Sequence, residues 1–181
     1  KNPIIGFRSF GENKENVAES ALALMKGYQS LNLLATGKHF PGHGDTEIDS
    51  HAALPTINFS KERLNDVELY PYKKLFDEGL ASVMVAHLNV PSLEPRENIP
   101  SSVSHNIITD VLKMQLQFKG LIFTDALNMK AAKNFRDPGQ IDLEAFLAGN
   151  DILLCAENVP IAKEKICIAY QDSIISEERL A

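Results

Sequence analysis

The segment Lys38-His39-Phe40-Pro41-Gly42-His43-Gly44-Asp45-Thr46-Glu47-Ile48-Asp49-Ser50-His51 holds three histidines, three acidic residues and a lysine within fourteen positions. Such a run buries little apolar surface, so core packing does not explain it; it is either solvated surface or a functional loop, and dense ionisable groups beside a strand favour function. Three chemistries fit. Asp49 and His51 stand two positions apart, so in extended backbone both side chains share one side. Asp49 can then accept one ring N–H and leave the other nitrogen for general acid–base work. His39, His43, Asp45 and His51 offer metal ligands, without the tight helical or finger spacing of a specific metal motif. Gly42 and Gly44 offer a phosphate cradle, without the rest of that pattern.

A second reactive residue is Asp125, which follows the apolar run Leu121-Ile122-Phe123 and Thr124. An acid in that place either caps a following helix or serves as a nucleophilic carboxylate. The same placement recurs: Leu33-Leu34-Ala35-Thr36 leads to Lys38-His39, Ser82-Val83-Met84-Val85-Ala86 to His87, and Asp151-Ile152-Leu153-Leu154 to Cys155. Near-continuous apolar runs are the signature of strands covered on both faces in a parallel sheet. In such folds the C-terminal strand ends carry the chemistry.

Helical patterns separate these runs. Residues 15–31 put Val17, Ala21, Leu24 and Tyr28 on one stripe. Ser60 caps a second pattern through Leu64, Val67, Tyr70 and Leu75, in which Pro71 predicts a kink or two shorter helices. Ser104 caps a third, carrying Ile107, Ile108, Val111 and Leu112, with His105 on its surface. A fourth runs from Pro160 to Tyr170, and Glu177-Glu178 opens a solvated helix. Alternating helix and strand predicts α/β with a parallel sheet. Spacing alone does not separate an open doubly wound sheet from a (β/α)8 TIM-barrel type. A whole barrel needs about 250 residues, so four or five strands here would be an incomplete barrel. Cys155 and Cys167 read as ordinary buried thiols.

The 181 residues carry a formal net charge of −6 and 44% hydrophobic residues. That balance predicts a folded globular chain with no affinity for nucleic acid or anionic membrane. No apolar stretch reaches the roughly 20 residues of a membrane span.

Together, KHFPGHGDTEIDSH (Lys38 to His51), FTDALNM (Phe123 to Met129) and NPIIGFRSFG (Asn2 to Gly11) resemble glycoside hydrolase family 3, in its β-N-acetylglucosaminidase (β-hexosaminidase) branch. The resemblance implies that residues 1–181 are the central and C-terminal portion of that family's N-terminal catalytic barrel domain, lacking the first strands. It implies Asp125 as catalytic nucleophile, His51 as general acid/base and Asp49 as its dyad partner. Arg8, Lys38 and His39 match substrate-binding positions, His87 ends a strand lining the same site, and His43 holds the loop together. A substrate-binding Asp on an early strand has no counterpart. The implied activity is retaining hydrolysis of terminal N-acetylglucosamine from β-glycosides such as peptidoglycan fragments. The substrate is a carbohydrate, no metal or organic cofactor is implied, and the barrel would be completed by self-association or by an N-terminal segment. The alternatives are a β-glucosidase of the same family, which the Asp49-Ser50-His51 loop argues against, and a catalytically incomplete fragment or sugar-binding module.

Overall fold

A computed structural model describes residues 5–44, 46 and 54–180. After a 3-10 turn at Gly6–Arg8 come α1 (Lys14–Gln29), β1 (Thr36–Phe40), α2 (Lys61–Arg63), a π-helical turn (Leu64–Glu68) and α3 (Tyr70–Asp77). The chain continues through β2 (Ser82–Val85), a 3-10 turn (Ser101–Val103), a π-helix (Asn106–Gln115) and β3 (Leu121–Thr124). It ends in α4 (Lys130–Lys133), α5 (Gln140–Ala148), α6 (Val159–Gln171) and α7 (Glu177–Leu180).

The strands are parallel in the order β1-β2-β3, and Ile152 continues the series as a parallel bridge to Phe123 on β3. Strands added in chain order on one side, with no reversal, are singly wound. A doubly wound sheet reverses direction at a switch point, so this order selects the barrel type. Among the described residues the strands form an arc of such a barrel, with one edge of β1 unpaired.

Val83, Val85 and Ile122 are fully buried between the strands and Leu64, Leu75, Ile107, Ile108 and Leu112 of the covering helices. A smaller cluster of Val103, Leu127, Ala132, Ile141 and Ala145 packs α5 under the loops that follow β3.

The helix caps stand where the sequence put them. Ser60 accepts from the amide of Arg63, and Ser104 from that of Ile107. Pro71 sits in the first turn of α3, where its missing N–H costs least. The π turn before it takes up the irregularity: Leu69 N–H reaches back five residues to Leu64 O.

Four expectations are corrected. The first strand is Thr36–Phe40 rather than residues 33–36, because pairing begins where Thr36 meets Ser82 at the start of β2; Leu33 and Leu34 precede it and are exposed. The fourth run, 151–154, pairs only through the single bridge at Ile152. The buried face of α1 is Ala18 and Met25, while Leu24 and Tyr28 are half exposed and line an open groove. Both cysteines are exposed rather than buried. Cys155 lies in left-handed backbone just past the strand run, and Cys167 on the outer side of α6.

Candidate active site

The register puts the ends of the three strands level: Phe40 pairs with Val85, and Val85 with Thr124. β1 carries a bulge between Lys38 and Phe40, so His39 has no partner on β2. A bulge re-aims the side chain it carries, and here the His39 ring approaches the next strand but one: Nε2 is 3.9 Å from Asp125 Oδ2. The peptides Lys38–His39 and Phe40–Pro41 at this edge are cis.

Asp125 is the first residue beyond β3. Its amide donates to Val85 O at 2.8 Å, extending the ladder by one step, and its side chain is 16% exposed. Oδ1 accepts from the Ala126 amide at 2.8 Å. The capping alternative does not hold: α4 begins at Lys130 with Met129 at its cap position. Asp125 is therefore a carboxylate presented at a strand end, with one oxygen engaged and the other turned toward His39.

Burial pushes the imidazole of His39 down to about 4, against the opposing pull of Asp125, and the charges of Lys38, His43 and Arg8 add to the lowering. The ring is thus neutral at pH 7, and the 3.9 Å approach is neither an ion pair nor a hydrogen bond. A neutral ring offers one donor and one acceptor to a polar ligand.

Arg8, Lys38, His39 and His43 line one groove of about 1540 Å³ that runs along β1. Arg8 comes from the turn Gly6–Arg8 and Lys38 from the strand, and both are exposed. His43 is buried, its Nδ1 bonded to Thr46 Oγ1 at 2.5 Å and its ring edge-on to His39 with centroids 5.8 Å apart. Gly42, in left-handed backbone at φ +144°, lies so close to Glu68 that a Cβ would come within 2.9 Å of its side chain.

His87 is fully buried two residues beyond the end of β2. Its Nδ1 is 2.7 Å from Ser102 Oγ and its Nε2 3.0 Å from Ala126 O. Both partners are thus in the protein, Ser102 on the 3-10 turn and Ala126 on the loop that carries Asp125. Asp45, Asp49 and His51 lie outside the described residues. Among the described residues no three His, Cys, Asp or Glu side chains gather as a metal site, and no helix is long and apolar enough to cross a membrane.

Sequence reasoning missed the buried serines. Ser101 Oγ donates to Ala86 O at 2.6 Å and accepts from Leu88 N–H at 3.1 Å, so with Ser102 it braces the backbone after β2. The signal was present: three serines around Val103, between proline and a strongly apolar helix, are too many to be caps alone.

The whole chain, residues 1–181, matches the glycosyl hydrolase family 3 N terminal domain. A structure of a glycoside hydrolase family 3 β-N-acetylglucosaminidase from Paenibacillus sp. str. FPU-7 superposes with a TM-score of 0.93 at 40% identity, covering 98% of this chain and 34% of that one. NagZ from Neisseria gonorrhoeae, solved in complex with N-trifluoroacetyl-D-glucosamine, gives 0.77 at 36% identity over 91% and 46%. Among curated sequences, β-hexosaminidase A of Pseudoalteromonas piscicida is 34% identical over 171 residues, 89% of this chain and 28% of the relative. The chain spans between 28% and 48% of the length of the first curated relatives it matches.

Proposed function

This chain belongs to glycosyl hydrolase family 3, and from that premise we propose that it hydrolyses terminal N-acetylglucosamine from β-glycosides, with peptidoglycan fragments as the natural substrate class. One observation carries most of the reading: the Asp125 carboxylate stands at a strand end with Oδ1 held by the Ala126 amide and Oδ2 toward His39. The relatives' names supply the sugar, since they are β-hexosaminidases and a β-N-acetylglucosaminidase.

The reaction is a double displacement. Asp125 Oδ2 attacks the anomeric carbon as the glycosidic C–O bond breaks, and His51, paired with Asp49, protonates the departing oxygen. The neutral His51 then takes a proton from water, which attacks the same carbon and releases Asp125, so configuration is retained. An imidazole suits both halves because its ordinary range spans neutral pH. It also spares Asp125 a second anion nearby. Arg8, Lys38 and His39 bond the sugar hydroxyls; His87, fully buried with both ring nitrogens bonded within the protein, lies behind them rather than on the wall of the groove. Residues 1–181 act as the C-terminal portion of one catalytic barrel domain.

The test compares aryl β-N-acetylglucosaminide with aryl β-glucoside and follows the first-formed anomer by proton NMR. We expect preference for the N-acetyl sugar and a β product. A glucoside preference or an α product overturns the assignment. Among the described residues one edge of β1 pairs with no strand, and this edge with the exposed Leu33 and Leu34 beside it favours a second reading for the isolated chain. In that reading turnover needs further barrel strands, from a preceding segment or a second copy.

A further inference from the structure

The described residues contain a continuous hydrogen-bonded line that ends on the nucleophile. Asn150, fully buried, donates from Nδ2 to Ser102 O at 2.8 Å. Ser102 Oγ meets His87 Nδ1 at 2.7 Å, His87 Nε2 meets Ala126 O at 3.0 Å, and Ala126 N–H meets Asp125 Oδ1 at 2.8 Å. Polarity fixes the end of the line that meets the loop: a carbonyl only accepts, so Nε2 carries a proton and donates to Ala126 O. Ser102 and His87 are both fully buried, so water does not compete for these bonds.

We propose that His87, locked by Ser102, is a positioning residue: it anchors Ala126 by its carbonyl so that the Ala126 N–H, in the preceding peptide, holds Asp125 Oδ1 and leaves Oδ2 as the attacking oxygen. Ala126 is gripped through both of its flanking peptides, by His87 at its carbonyl and by Asp125 at its amide. Loss of the ring frees the carbonyl, lets the loop rotate, and releases the carboxylate from a single orientation. The proposal rests on the hydrolase reading for its kinetic consequence but not for the tether itself.

The experiment uses the full chain with His87→Leu, His87→Gln and Ser102→Ala. It reads amide exchange at Ala126 by NMR, kcat with an activated aryl N-acetylglucosaminide, and the inhibition constant of N-acetylglucosamine. In His87→Leu the Ala126 amide exchanges about tenfold faster or more. There kcat falls about 10- to 100-fold, while the inhibition constant stays within about twofold. His87→Gln keeps an N–H that reaches the Ala126 carbonyl and restores most of both losses. Ser102→Ala moves in the same direction by less, and it decides the matter if the leucine variant does not fold. Unchanged exchange and kcat overturn the proposal, as does a glutamine variant as slow as the leucine one. Weakened sugar inhibition with normal kcat also overturns it, by making the ring a direct sugar ligand. If the unsubstituted chain has no turnover, the hydrolase reading fails while Ala126 exchange still decides the tether.

Discussion

At the scale of single residues, the site pairs a carboxylate with an imidazole that stays neutral. Asp125→Ala removes the proposed nucleophile and is expected to lower turnover on the order of 10⁴-fold or more, measured as kcat on an aryl N-acetylglucosaminide. His39 makes a separate prediction about stability. Its folded value is about 4 against an ordinary 6.5, the first cause being burial. Between those values the unfolded chain binds more protons than the folded one, so stability falls as pH drops from about 6.5 to about 4. Urea unfolding at pH 7, 5.5 and 4.5 should show that slope. His39→Gln, which has nothing to titrate, should flatten it; an unchanged slope removes His39 as its source.

At the scale of elements, irregular backbone is matched by specific partners. Pro71 has no N–H to offer Asp66 O, and Lys14 Nζ takes that carbonyl at 3.0 Å while pairing with Asp66 Oδ1 at 2.7 Å. Lys73 Nζ takes Asn65 O in the same way. Gly120 precedes β3 where a Cβ would lie 2.4 Å from Ala81 O. Gly120→Ala must therefore displace backbone, and it should cost about 1–3 kcal/mol in urea unfolding. Glu94 anchors the start of the π-helix. Its buried carboxylate accepts from Arg96 Nε and Nη2 and from Ser104 Oγ. The Arg96 bonds hold it down at about 2 against the cost of burial. That support is complete above about 4.5 and is lost as pH falls through about 2. Glu94→Gln should lower stability at pH 7 by about 1–3 kcal/mol, with a smaller loss at pH 2.5; equal losses at both values exclude the charge as the cause.

At the scale of the whole molecule, the arc of parallel strands among the described residues leaves β1 open along a groove whose walls include Val17, Leu24 and Tyr28 of α1. Unpaired strand edges and exposed apolar side chains favour association. Sedimentation of the isolated chain is expected to show concentration-dependent self-association. Leu33→Lys with Leu34→Lys should reduce it, since both side chains are largely exposed. A monomer at all concentrations would remove this edge as a contact surface.

Periodicity and end-signals were local, and they made α1, α3, the π-helix at Asn106–Gln115, α6 and α7, the serine caps, β2 and β3, and the strand-end placement of Asp125 legible from the sequence, while α4 and α5 went unread. Motif likeness carried the family and the proposed catalytic roles; those of Asp49 and His51 rest on sequence alone, since both lie outside the described residues. Other features needed the fold. The choice between a singly and a doubly wound sheet depends on which strands lie side by side, and spacing along the chain does not encode that. The start of β1 depended on where β2 begins, and the buried face of α1 on what packs against it. The neutral state of His39 comes from burial beside residues distant in sequence. The line from Asn150 to Asp125 joins four separate stretches of chain. Such properties arise from the pairing of remote segments, where burial raises the cost of each unmet hydrogen bond and so decides which partners are kept.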